Sequence, residues 1–290
     1  MKQKVIVILG QSATGKSILA VKIAKKINGE IISADSRQVY KNLNIGAGKI
    51  SKEEMRGIKH YLIDVINPKY KFTVIKYKKL AEEKIKEIMQ RNKVPIICGG
   101  TGFYIDAITK GVIFPKVPPN IKLRKKLLQK SATALFYKLE KLDPRRAKNI
   151  DKNNKVRLIR AIEIAKTLGK VPKITEVKPM YEFLKIGLYL LAPKLKKRIE
   201  KRVKKMFQNG LLKEIKKLKK AGISDKRLRE FGFEYDKPTP EKVIAETLKY
   251  AKRQMTWFKR DKEIKWFDAS KKINLSLKTK NSIINLGINN

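Results

Sequence analysis

Lys16 and Ser17 close the run Gly10-Gln11-Ser12-Ala13-Thr14-Gly15-Lys16-Ser17, in which four residues separate two glycines just ahead of a cation and a hydroxyl. Glycines at this spacing let the backbone wrap an anion, so that N–H groups and a helix N-terminus point inward at it. Lys16 adds a point charge, and the Ser17 hydroxyl can hold Mg²⁺. The chemistry implied is capture of a polyphosphate or pyrophosphate. Asp35, within Ser33-Ala34-Asp35-Ser36-Arg37-Gln38-Val39-Tyr40, supplies a carboxylate able to take a proton from an incoming nucleophile; the lesser alternative by spacing alone is a cap on a following helix. Thr101, within Gly99-Gly100-Thr101-Gly102-Phe103-Tyr104, offers a hydroxyl to a phosphate oxygen or a base, beside glycines that permit close backbone approach. Arg253 sits off the inward stripe of its segment, with Tyr250 and Trp257 three residues before and four after. It is either a guanidinium for the same site or part of a solvated basic face.

These residues need elements to hold them. Apolar runs at 4–9, 30–34, 60–66, 94–98 and 183–191 predict strands, and their continuous character indicates parallel strands buried on both faces. The run Ile264-Lys265-Trp266-Phe267-Asp268 is a candidate last edge strand. Helical periodicity marks 73–91, 153–168, about 194–221 as one long helix, and about 240–260. Alternation of β and α over the first hundred residues predicts an α/β fold, a doubly wound parallel sheet of the P-loop type. In such sheets the C-terminal strand ends line the ligand crevice, which brings Asp35 and the 99–104 segment to face the phosphate loop. The fifth strand arrives late, so residues 116–181 read as an inserted helical domain between two core segments, 1–115 and 182–270. Residues 271–290 read as a loosely held tail.

The chain of 290 residues carries 71 Lys+Arg against 26 Asp+Glu, a formal net charge of +45. Residues 1–115 hold +13 of this and residues 116–290 hold +32. Abundant Lys, Ile and Asn throughout account for part of the excess but not for its concentration after residue 115. The second part therefore reads as built to meet a polyanion. One cysteine, Cys98, and one histidine, His60, exclude a disulfide and a Cys/His zinc site. No signal-peptide pattern and no apolar run of about 20 residues is seen, so a cytoplasmic protein is expected.

Taken together the segments resemble the tRNA dimethylallyltransferase family. The resemblance rests on Gly10–Ser17, DSRQVY at 35–40, NIGAGK at 44–49, HYLID at 60–64, PIICGGTGFY at 95–104, VRLIRAIEI at 156–164, NGLLKEIKKL at 209–218 and YAKRQMTWFKRD at 250–261. Members transfer an isopentenyl group from dimethylallyl diphosphate to the exocyclic amine of the adenosine just 3′ of the tRNA anticodon. The resemblance implies Asp35 as general base, with Thr101 and Arg253 as further catalytic groups. The loop backbone, Lys16, Thr101 and Arg253 would hold the diphosphate, with Mg²⁺ near Ser17. Asp35, Ser36, Arg37, Gln38 and Thr101 would meet the extruded adenosine and its neighbours. Arg124, the segments 156–160 (with Arg157 and Arg160) and 229–234 (with Arg229), and Gln254 would contact the anticodon stem-loop through the inserted helical, tRNA-binding domain and its neighbours. A monomer with no membrane partner is implied. The sequence departs from the family pattern at Gln11 (usually proline), Ser12, Ala47-Gly48, Tyr61, Val156 and Leu248, none of which is a proposed catalytic group.

Three other functions use parts of the same pattern. An ATP-dependent small-molecule kinase shares the loop, and Arg157 and Arg160 could serve its lid, but it leaves DSRQVY and the +32 segment without purpose. An isopentenyltransferase acting on free adenine nucleotides needs no RNA-sized basic surface. A non-catalytic P-loop RNA-binding module predicts loss of Asp35, Thr101 or Arg253, and all three are present.

Overall fold

The computed structural model describes residues 3–173, 175–271, 273–277 and 284–288. The chain begins with β1 (Lys4–Gly10), α1 (Lys16–Ile27), β2 (Gly29–Ser33), α2 (Lys52–Met55) and β3 (His60–Tyr61). It continues with α3 (Val74–Gln90), β4 (Val94–Cys98) and α4 (Gly102–Thr109). Residues 112–177 form a compact unit of their own. That unit holds β5 (Val112–Ile113), α5 (Ile121–Leu128), α6 (Ala132–Leu142), α7 (Pro144–Ala147), α8 (Lys155–Leu168) and β6 (Thr175–Glu176). Then come β7 (Glu182–Tyr189), α9 (Ala192–Gln208), α10 (Leu211–Lys220), α11 (Asp225–Phe231), α12 (Pro240–Phe258) and β8 (Lys265–Asp268).

Six strands form one sheet in the order β3-β2-β4-β1-β7-β8, every pair parallel. Alternate side chains of β1 enter opposite cores, as the two-residue period of a strand requires. Val5, Val7 and Leu9 pack with α3, α4 and Phe258 of α12, while Ile6 and Ile8 pack with Leu19, Ala20, Ile23 and Ala24 of α1. Both faces are covered, which is why these strands read as continuous apolar runs rather than alternating ones. The α/β class, the parallel core and the edge strand at 264–268 agree with the sequence.

Two element boundaries differ. The strand expected over 60–66 is only His60–Tyr61, because Leu62 and Asp64 adopt φ of +60° and +56°, outside any extended conformation. The long helix expected over 194–221 is two, α9 and α10, separated at Gly210 with φ +96°. The apolar stripe runs through this break, so periodicity alone conceals it. In the tail after Lys271, β9 (Ile273–Leu277) and β10 (Ile284–Ile288) pair antiparallel, and the other tail residues from 272 onward lie outside the described ones.

In the 112–177 unit, Leu135, Leu139, Leu158 and Ile162 form a fully buried centre. Glu163, 1% exposed, accepts from Arg124 Nε and Nη2 at 2.9 and 2.6 Å, from Asn120 N at 2.6 Å, and from Arg160 Nη1. Burial opposes this charge, but the Arg124 and Arg160 hydrogen bonds outweigh it and hold the carboxyl down at about 2.

Candidate active site

The phosphate loop leaves β1 at Gly10, whose φ of +130° and whose missing Cβ are both required: a Cβ there would lie 2.1 Å from Leu188 O on β7. Gln11 fixes the next step. Its N–H donates to Leu188 O at 3.4 Å, and its side-chain Oε1 accepts from Leu190 N at 3.0 Å. This side-chain bond is one that the proline usual at this position could not make. The Gln11 carbonyl in turn accepts from Thr14 Oγ1 at 2.8 Å and from Lys16 Nζ at 2.5 Å. Gly15, in the left-handed region, then starts α1. Among the described residues, none accepts from the backbone N–H groups of residues 13–17. Those groups form a preformed anion cradle at a helix N-terminus.

Burial pushes Lys16 down to about 8, and the nearby Arg202 pushes the same way, against Cys98 and Asp35. A bound anion favours the protonated lysine, so anion affinity should fall as pH rises through about 8. Pyrophosphate binding should therefore take up a proton above that pH, seen calorimetrically as a dependence of heat on buffer ionisation at pH 8.5. The same experiment on Lys16→Met should show weak binding and no such uptake; equal uptake in both would refute the assignment.

Asp35 lies just past β2. Oδ1 accepts from Arg37 N at 2.8 Å and Gln38 N at 3.3 Å, closing a local turn. Oδ2 has no protein partner among the described residues, and Asp35 lines a cavity with Ser12 of the phosphate loop. Asp35 caps no helix, since residues 36–39 form a turn; that turn uses Oδ1 and leaves Oδ2 toward the cavity. Thr101 fastens the adjoining strand exits: its N–H donates to Ala34 O at 3.1 Å and its Oγ1 accepts from Ser36 N at 3.1 Å. Gly99 permits this approach, since a Cβ would stand 2.2 Å from Ala34 O.

The Asp35 cavity is small, about 40 Å³, and is bounded further by Arg37, Arg202, Val203, Met206, Phe233 and Glu234. A neighbouring cavity of about 450 Å³ is lined by Tyr40, Phe72, Tyr104, Arg227, Phe231 and Gly232. Ser36, Arg37 and Tyr250 line both and form the wall between them. Arg37 pairs with Glu234 and lies over the Phe233 and Tyr250 rings, 5.2 and 5.8 Å from their centres. Burial works against its charge, but Glu234 and Asp35 outweigh burial and raise its pKa. Arg202 differs. Burial lowers its pKa, Arg37 adds to this, and Glu234 and Asp35 only partly compensate. The structure gives its side chain no hydrogen-bond partner among the described residues. A buried guanidinium of this kind beside an anion cradle is set to accept a ligand's negative charge.

Several expected residues fall elsewhere. Gln254, expected at the tRNA, is 5% exposed and bonded to the phosphate loop and to Gly100. Helical phase turns it inward, three residues after the buried Ala251. Arg253 is exposed over the Tyr250 ring, 5.6 Å from its centre, and does not line the Asp35 cavity. The Gln38 side chain accepts from Ser33 Oγ at 2.9 Å and donates to Gly48 O at 3.3 Å, so it braces the 44–48 loop. Arg124 and Arg160 are committed to Glu163, while Arg157 and Arg229 are exposed.

Sequence reasoning missed Arg202 and Glu214, and it gave Tyr250 only as a neighbour of Arg253 and Glu234 only within the tRNA-contact segment 229–234. Arg202 stands three residues after Ile199 and four before Met206, both buried, an inward setting that marks a charged residue as having work to do. Glu214 lies in the same relation to Leu211 and Leu218. Its carboxylate accepts from Asn44 N, Ile45 N and Gly46 N at 2.9, 2.8 and 3.2 Å and from Tyr235 OH at 2.9 Å. That clamp sets Gly46 and Ala47 in the cavity wall.

No group of three or more His, Cys, Asp or Glu suited to a metal occurs among the described residues, nor is any helix there long and apolar enough to cross a membrane. The family model described as IPP transferase matches residues 38–261. The chain belongs to the IPP transferase family. A tRNA dimethylallyltransferase of Carboxydothermus hydrogenoformans is 40% identical to this member over 310 residues, covering 100% of this chain and 99% of that protein. One from Halothermothrix orenii is 42% identical over 287 residues, covering 91% and 87%. Among solved structures, the tRNA isopentenylpyrophosphate transferase of Bacillus halodurans aligns with TM-score 0.68 at 36% identity, over 92% of this chain and 90% of that one. A eukaryotic dimethylallyltransferase acting on tRNA aligns with TM-score 0.76 at 27% identity, over 92% and 74%.

Proposed function

We propose that this IPP transferase moves a dimethylallyl group from dimethylallyl diphosphate to the N6 amine of the adenosine 3′-adjacent to the anticodon in tRNA. The observation that carries the reading is the unpartnered Oδ2 of Asp35, in a cavity bounded on one side by the phosphate loop and on the other by the wall of a second, aromatic-lined cavity. At about 450 Å³ the second cavity falls in the size range of small-molecule sites.

In this reading the N–H groups of residues 13–17, Lys16 and Arg202 hold the diphosphate. The apolar side chains of Val203, Met206 and Phe233 receive the prenyl tail near Asp35. The adenine leaves the anticodon stack and enters through the larger cavity, as base-modifying enzymes require. The N6–C1 bond forms, the C1–O bond to diphosphate breaks, and the N6 proton passes to Asp35 Oδ2. Charge growing on the leaving diphosphate is met by donors already in place, so no reorganisation is needed during reaction. The Ser17 hydroxyl at the start of α1 would hold Mg²⁺ in the way phosphate loops do. When bound there it would neutralise diphosphate charge. Exposed Arg157 and Arg229 would meet tRNA phosphates, and the concentrated positive charge after residue 115 would add to that attraction.

Labelled dimethylallyl diphosphate with Mg²⁺ and either unmodified tRNA or AMP tests this directly. Label in tRNA alone is expected. Label in AMP alone would make the chain a free-nucleotide isopentenyltransferase, and ATP turnover with neither acceptor labelled would make it a kinase.

A further inference from the structure

We infer that Gln254 is a positioning residue that fixes the phosphate loop against the exit of β4, and with it the prenyl donor against the acceptor amine. This rests on the function proposed above. Its Oε1 accepts from Ser12 N at 2.8 Å and from Ser12 Oγ at 3.2 Å. Its Nε2 donates to Gly100 O at 2.9 Å. One carboxamide, 5% exposed, therefore spans the gap between the two neighbouring strand exits that carry the donor site and Thr101. The fit is tight: a Cβ on Gly100 would come within 2.3 Å of Nε2.

The rest of α12 acts in the same direction. Tyr250, one turn earlier, lines both cavities. Trp257, one turn later, covers Gly102 and donates from Nε1 to Asp106 Oδ2 at 3.1 Å. The helix is a splint along residues 100–106, and Gln254 is the point where that splint reaches across to the phosphate loop. A carboxamide suits the place because it must accept on one side and donate on the other while carrying no charge into a buried site. A misplacement of the donor by about 1 Å is enough to lower the rate by about 10²-fold without weakening the contacts that bind it.

The test separates positioning from binding and from folding. In Gln254→Ala, single-turnover transfer at saturating dimethylallyl diphosphate and tRNA should slow by about 30–100-fold, while the Kd for pyrophosphate changes by less than about threefold. Loss confined to pyrophosphate affinity, with the saturated rate intact, would overturn the inference, as would an unchanged rate. If Gln254→Ala lacks the near-UV circular dichroism of the wild type, Gln254→Glu carries the test. An ionised Glu there still accepts from Ser12 but faces the Gly100 carbonyl with no proton, whereas a protonated one restores the donor. The ratio of its saturated rate to that of the wild type should rise as pH falls from about 8 to about 6. A flat ratio would overturn the inference. Absence of transfer by the wild type would instead remove the proposed function, and that arm is read before any variant.

Discussion

In Asp35→Asn, prenyl transfer to tRNA falls by about 10²–10⁴-fold, while tRNA affinity stays within about threefold. The structure makes asparagine the informative replacement. Its Oδ1 can still accept from Arg37 N and Gln38 N, so the turn that leads into the cavity wall survives. Only the basicity of the second position is removed. Asp35→Ala also abolishes transfer, but it takes the turn away as well, leaving two half-buried N–H groups without their acceptor. Single-turnover transfer and filter binding of unmodified tRNA measure the two quantities. Full activity in Asp35→Asn would show that the proton goes elsewhere; a loss of tRNA affinity beyond about tenfold would show that Asp35 anchors the base rather than deprotonating it.

The second large effect is expected at Arg202. Removing its guanidinium in Arg202→Ala should lower kcat/KM for dimethylallyl diphosphate by about 10²–10³-fold, the range seen when one preorganised donor to a developing oxyanion is deleted. Arg253→Ala is the matched comparison. Its guanidinium is exposed on the Tyr250 ring, so the loss should stay within about tenfold. Steady-state kinetics on both variants decide between them. The reverse order of effects would mean that α12 delivers Arg253 to the diphosphate once substrate is bound and that Arg202 only balances Glu234.

Much of the fold was legible because buried parallel strands announce themselves as apolar runs bounded by glycine turns, and 4–9, 30–34 and 94–98 do so. The phosphate loop was legible for the same local reason, since its chemistry lies in eight consecutive residues. The rule that strand exits face the crevice anticipated Asp35 beside the phosphate loop, where it lines a cavity with Ser12, whereas Thr101 lines neither cavity and fastens the adjoining strand exits instead. What sequence could not supply was partnership at long range. Arg124 and Arg160 look like any other surface cations in a basic helical segment, and only the structure sets Glu163 between them. Gln254 and Arg253 are neighbours in the chain, yet a 100° step along a helix buries one and exposes the other. Arg202 was passed over because a guanidinium among the eight lysines and arginines of α9 carries no local mark apart from the apolar residues one turn to either side.

The phosphate loop is held from far downstream. Gln11 meets a partner 179 residues later, and Ser12 one 242 residues later. During synthesis at about 5–20 residues per second, the loop waits roughly 12–50 s between leaving the ribosome's catalytic centre and the appearance of the residue that clamps it. β1 cannot gain its β7 neighbour until residues 182–188 have been made. A nascent polypeptide that has not yet reached Gln254 therefore has the glycine-rich turn but not its grip on the rest of the crevice.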